Sequence, residues 1–164
     1  MPTNNPTTAA AIEPAAIANQ TRPGEEMRPG PRPIQALHIA ARLPGLNEII
    51  SAHGTAQQVR TRTGKLIRIS KYDKLKKQWG ERIAWEAKAQ KLAPVKRAHF
   101  AFEWREADKR RDPDNIAAGG RKLILDALVK AGILANDGWQ QIAGWSDTFH
   151  VGAPGVVVYI VEVE

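Results

Sequence analysis

Lys109 to Asp137, KRRDPDNIAAGGRKLILDALVKAGILAND, is the stretch on which the reading of this chain turns. Lys109, Arg110 and Arg111 run directly into two carboxylates, Asp112 and Asp114, with Pro113 between them. Pro113 fixes its own φ and pushes Asp112 into an extended conformation. If the chain stays extended, the side chains at i and i+2 project from the same side. Two carboxylates so placed repel unless a cation lies between them, and hard oxygen ligands suit Mg²⁺, with Mn²⁺ as a substitute. Asp137, returned by a helical excursion, could complete such a site. The same residues also fit an ordinary helix start, with Asp114 as cap and Asp112 paired with Arg110 or Arg111.

Beyond these acids the pattern becomes helical. Leu123, Ile124, Ala127, Leu128 and Ala131 make a broad apolar face, and Lys122 and Asp126 pair at i, i+4 on another side. Gly132 can close the helix. Gly119 and Gly120 would each cost about 1 kcal/mol inside it, which favours a loop there and a helix over Arg121–Ala131. If the helix instead begins near Asn115, then Asn115, Lys122 and Asp126 fall within about 40° of one another. Ala118 and Gly119 would then be small enough to let a nucleic-acid strand come close.

Ala98–Glu106 (AHFAFEWRE) alternates cleanly, with Phe100, Phe102 and Trp104 on one side and His99, Glu103 and Arg105 on the other. It reads as a strand that delivers the backbone to the Lys109–Asp114 cluster. Ile34–Leu43 is compatible with a first strand, and Pro44-Gly45 ends it. Ser51–Ile69 reads as a long loop or irregular hairpin turning at Gly54 and Gly64. Carrying Arg60, Arg62, Lys65 and Arg68, it could act as a flap onto phosphates. Ser70 is the expected N-cap of a helix over 71–91, whose stripe Leu75, Trp79, Ile83 and Ala87 should be buried. Gln141–Val151 is strand-compatible, Pro154-Gly155 turns the chain, and Val156–Val163 reads as the last strand. Met1–Pro33, rich in Pro, Ala, Thr and Asn, is expected to be a disordered tail, leaving 34–164 as the folded domain.

The charge of +7 is unevenly placed. Arg60, Arg62, Lys65, Arg68, Lys71, Lys74, Lys76 and Lys77 face only Asp73 over that segment. With the second basic cluster at 109–111, this points to nucleic acid as the partner. No apolar run approaches the roughly 18 residues of a membrane span, and no signal-peptide pattern opens the chain. The absence of cysteine removes disulfides and thiolate zinc sites and fits the cytoplasm. His38, His53, His99 and His150 lack zinc-site spacing, and Ser51, Ser70 and Ser146 lack the setting of a nucleophile elbow. Gly119-Gly120-Arg121-Lys122 does not match a P-loop.

One series is more specific than D-x-D alone: Arg110-Arg111-Asp112-Pro113-Asp114-Asn115, Leu125-Asp126-Ala127-Leu128, Lys130-Ala131-Gly132 and Asn136-Asp137. It closely resembles the RusA-like Holliday-junction resolvases, crossover-junction endodeoxyribonucleases of bacteria and their phages and prophages. A looser likeness includes Leu43-Pro44 with Asn47, and the basic helix. The resemblance implies an α+β fold, a small mixed sheet with two main helices packed on it, assembled as a homodimer. It implies a Mg²⁺-dependent nuclease of recombination and repair that cuts branched DNA in a bacterial or phage-infected cytoplasm. Carried over by position, Asp112, Asp114 and Asp137 match the metal-binding acids and Lys122 the catalytic lysine. DNA contacts are expected from Asn47, Arg60, Arg62, Lys65, Arg68, Lys71, Lys74, Lys109, Arg110 and Arg111. Two departures stand out: Asn136 replaces the first of two adjacent acids, and the spacing from Asp114 to Asp126 is one helical turn longer than in compact members. The competing expectations are a non-catalytic branched-DNA-binding protein and a metal-dependent nucleotide phosphohydrolase.

Overall fold

Phe100, Phe102 and Trp104, alternate residues of one strand, are almost completely buried in the computed structural model. Their rings stack in sequence, Phe102 on Trp104 with centroids 5.5 Å apart. The structure describes residues 34–163 except Thr55, so the expected tail over 1–33 lies outside the described residues. The elements in order are β1 (Gln35–Ile39), α1 (Leu46–His53), β2 (Ala56–Arg60), β3 (Leu66–Ser70), α2 (Lys71–Ala89), β4 (Ala98–Glu106), α3 (Pro113–Ala131), β5 (Ile142–Val151) and β6 (Gly155–Glu162).

The main sheet runs β1-β6-β4-β5. β6 is antiparallel to both β1 and β4, while β5 is parallel to β4. A parallel pair needs a crossover, and α3 supplies it. The fold is therefore α+β with a mixed sheet and three helices among the described residues. Leu37, Ile39, Val158 and Ile160 join the β4 aromatics on the face that packs against Ile83 and Ala87 of α2 and Leu123, Ile124 and Leu128 of α3. Leu75 and Trp79, the other members of the expected α2 stripe, are partly buried against the same core.

Ser70 caps α2 as its sequence predicts. Its hydroxyl accepts from the Asp73 N–H at 3.0 Å, and the Asp73 carboxylate accepts from the Ser70 N–H at 2.9 Å. This reciprocal box satisfies two backbone donors that the helix start would leave open. The Ser51–Ile69 segment is partly helix and partly hairpin. α1 takes its first residues, and β2 and β3 form a separate two-stranded sheet turning at Gly64, which has φ +81°.

The Gly119-Gly120 pair does not interrupt α3, which starts at Pro113 rather than Arg121. The reason is close packing. A Cβ on Gly119 would stand 2.6–2.8 Å from backbone atoms of Pro44, Gly45 and Leu46, and one on Gly120 would stand 2.5 Å from the Trp104 ring. Gly119 thus makes room for the protein's own backbone, not for an approaching nucleic-acid strand. On helix propensity alone, Gly119→Ala would stabilise by up to about 1 kcal/mol. Because the clash is with backbone, we expect it to destabilise by about 1–3 kcal/mol in urea unfolding. A stabilised variant would show that α3 does not seat this closely.

Candidate functional site

Pro113 is the first residue of α3, where its missing N–H is no loss and its fixed φ suits the helix. Asp112 is the extended N-cap residue with φ −70° and ψ 141°, and its side chain makes no capping hydrogen bond. Asp114 already lies in the first helical turn. The extended geometry that would align the two carboxylates therefore ends at Asp112. Both acids are exposed, and neither carboxylate has an ion-pair or hydrogen-bond partner among the described residues.

Eight residues further along α3, about 12 Å along the helix axis, Lys122 projects into a cluster of charge. Its Nζ donates to Asp126 Oδ1 at 2.7 Å and to Asp137 Oδ2 at 2.9 Å. From α2, Lys76 Nζ lies 2.8 Å from Asp126 Oδ2. Two lysines thus alternate with two aspartates. Hydrogen bonds donated to Asp126 and then to Asp137 hold the Lys122 ammonium well above its usual range. Burial pushes the Asp126 carboxyl up, but Lys122 and Lys76 outweigh that, and its pKa is lowered. Lys76 is raised, chiefly by Asp126.

The chain reaches this cluster through a tight helix stop. Gly132 adopts the left-handed conformation at φ 78°, and its N–H bonds back to the last turn. Residues 133–137 then return past the helix, with Ile133 and Leu134 buried as anchors. Asp137 thus stands beside Lys122, and its expected convergence with Asp112 and Asp114 is not found in this arrangement. Among the described residues, no three His, Asp or Glu side chains stand close enough to share one ion. The donor chemistry of Asp112 and Asp114 suits a hard cation, but Asp137 is occupied by an ammonium beside a different part of the helix.

The expected DNA contacts do not all share one environment. Arg62, Lys65 and the strand residues Arg60 and Arg68 are exposed on the β2–β3 arm, and Lys71 and Lys74 are exposed on the first turns of α2. Lys109 and Arg110 are exposed beside the start of α3, with Arg110 paired to Asp108 at 2.6 Å. Arg111 turns inward instead. Its guanidinium donates to Glu106 Oε1 at 2.7 Å and to the Leu43 carbonyl at 3.2 Å, and its side chain is 14% exposed. Arg111 is a clamp between β4 and the segment before α1, so it does not belong to the basic surface. Asn47 is exposed, and its N–H donates to Asn115 Oδ1 at 2.9 Å, tying the start of α1 to α3.

Sequence reasoning missed two features. It counted Lys76 only as part of a basic run, because the packing of α2 on α3 that delivers it to Asp126 leaves no local signature. It also missed Asp147 on β5, which accepts from Trp104 Nε1 at 2.8 Å and pairs with Arg121. Nothing in the spacing of those three residues announces the contact.

The pH dependence of the Lys122 cluster follows from the signs of the shifts. Asp126, lowered on folding, contributes stability above its ordinary value of 3.8 and loses it as pH falls through the depressed one. Lys122, raised on folding, contributes below its ordinary value of 10.5 and loses it only in stronger alkali. Asp126→Asn should therefore cost about 1–2 kcal/mol in urea unfolding near neutrality. The deficit should shrink in acid as the wild-type protein loses the same interaction. An equal deficit at both pH values would contradict this assignment. Comparison of the chain with protein-family models and with curated proteins finds no match.

Proposed function

We propose that this chain is a Mg²⁺-dependent, structure-selective endonuclease that resolves four-way DNA junctions, the activity its resemblance to RusA-like resolvases implies. The observation that carries the reading is the 2.9 Å contact between Lys122 and Asp137, two residues fifteen apart that the resemblance places in one catalytic centre. The exposed basic arm and the first turns of α2 supply a surface of the right sign for phosphates.

In this reading Asp112, Asp114 and Asp137 would hold Mg²⁺ once Asp137 leaves Lys122 and is brought to the two acids at the start of α3, and the bound ion would lower the pKa of a water and offset charge on the phosphate. Lys122 has two tasks. It neutralises Asp137 and Asp126 in the free protein, and it offers a fixed ammonium to charge that develops on the phosphate during reaction. Its raised pKa keeps it protonated throughout the neutral range. A homodimer would set two equivalent centres against two strands of a roughly two-fold junction. The extra helical turn between Asp114 and Lys122 moves the lysine about 6 Å further from the paired acids than in compact members of the family.

One observation favours a second reading, a non-catalytic branched-DNA-binding protein. Lys122 and Lys76 already neutralise Asp137 and Asp126, so these acids have a sufficient structural role.

Synthetic four-way junctions incubated with Mg²⁺ or with EDTA separate the readings. The nuclease makes paired nicks only with the metal, whereas the second reading gives binding without nicks in either. Asp114→Asn and Asp137→Asn should each lower cleavage by roughly a hundredfold or more while leaving junction affinity within a few-fold. A variant that cuts at the wild-type rate removes that residue from the site. Affinity should also fall steeply with added salt as phosphate contacts release counterions. A flat salt response would dismiss the basic arm as the DNA-binding surface.

A further inference from the structure

Trp139 follows Asp137 by two residues and is 96% exposed. An indole left so open is unusual, because burying a side chain of that size is among the largest gains a fold can make. It does not stand alone. Trp139 lines a cleft of about 640 Å³ together with Asp137, Gly138, Gly144, Trp145 and Arg97. Trp145, on the outer strand β5, is 52% exposed. Gly138 and Gly144 bring no side chains into the space between these walls.

The charges around the cleft narrow what could fill it. The Arg121 guanidinium lies over the Trp145 ring, 5.2 Å from its centroid. Lys122 covers the Asp137 carboxylate, the acid that lines the same cleft. Both cations are themselves paired with carboxylates, Arg121 with Asp147 and Lys122 with Asp126 and Asp137, so what the cleft offers a ligand is aromatic surface beside balanced charge. A nucleotide base suits such a surface, because it can stack on an indole whatever its identity. In a fully paired duplex the bases are stacked on one another and their faces are closed to protein, so the fit is to an unpaired or unstacked one.

We propose that the Trp139–Trp145 cleft is a stacking subsite for an unpaired DNA base beside the Asp137–Lys122 centre. This rests on the nuclease reading for its link to cleavage, but not for the stacking itself. It gives that site a physical basis for preferring branched over linear DNA. At a branch point a base can leave its stack at reduced cost, and the cleft receives it next to the residues that would act on its backbone.

The test is binding in EDTA, where no cleavage intervenes, using a four-way junction with 2-aminopurine at the branch, a single-stranded oligothymidylate and a linear duplex. Trp139→Ala should weaken binding of the junction and the oligothymidylate by roughly five- to a hundredfold, the range spanned by stacking one base. It should also abolish the 2-aminopurine signal change and leave duplex affinity unchanged. Trp145→Ala should act in the same direction. Trp85→Ala, at a residue 69% exposed on α2 and outside the cleft, should change nothing. Unchanged affinities and an unchanged signal in both cleft variants would overturn the proposal. So would a change in oligomeric state with DNA affinity intact, which would assign the tryptophans to contact between copies of the chain. If wild-type protein binds the oligothymidylate through Trp139 yet shows no preference for junctions, the subsite stands and the junction-resolving function falls.

Discussion

The packing of α3 against β4 is the constraint from which the rest of the site follows. Gly120 lets the helix backbone lie against the Trp104 ring, and Gly119 lets it lie against the Pro44–Leu46 backbone. Neither contact tolerates a rotation of the helix, because each is with a group that cannot move aside. With α3 fixed in this orientation, Leu123, Ile124 and Leu128 fill the core. Arg121 then reaches Asp147 on β5, and Lys122, the next residue, faces the returning chain at Asp137. The roughly 1 kcal/mol that each glycine costs in a helix is set against the close packing it permits, on the Trp104 ring at Gly120 and on the Pro44–Leu46 backbone at Gly119.

Electrostatics adds a second layer. The charges closest to the core are paired: Arg111 with Glu106, Arg121 with Asp147, and Lys76 and Lys122 with Asp126. Partly buried charge is costly unless its partner is held in place, and these pairs tie β4 to the turn before α3, α3 to β5, α2 to α3, and two turns of α3 to each other. The excess positive charge is displaced outward to the β2–β3 arm and the first turns of α2. The arm is a two-stranded hairpin, which would be marginal by itself. Its base is fixed because Ser70 ends β3 and also caps α2.

Much of the fold was legible in the sequence where a local pattern sufficed. The strict alternation of Ala98–Glu106 specified β4 residue for residue, and Ser70 with Asp73 marked the start of α2. What the sequence concealed depended on contacts between distant segments. Gly119-Gly120 looked like a break because propensity is local, whereas the demand for small residues comes from Pro44–Leu46 and Trp104. Arg111 looked like part of a basic cluster, but the carbonyl of Leu43 and the carboxylate of Glu106 draw it inward. Within the candidate site, the motif series singled out Lys122 and Asp137 but not their direct contact, which depends on the tight return of the chain after Gly132. The separation of both from Asp112 and Asp114 follows from the length of a continuous helix, which the glycine pair disguised.

In the proposed nuclease, Lys122 and Asp137 work as one unit. Single-turnover cleavage of a pre-bound four-way junction by Lys122→Ala, Asp137→Asn and the double variant tests it most directly. Residues that act together lose their effect together, so the double variant should be no slower than the slower single one. Rate losses that multiply in the double variant, or single variants that cut at the wild-type rate, would contradict the account.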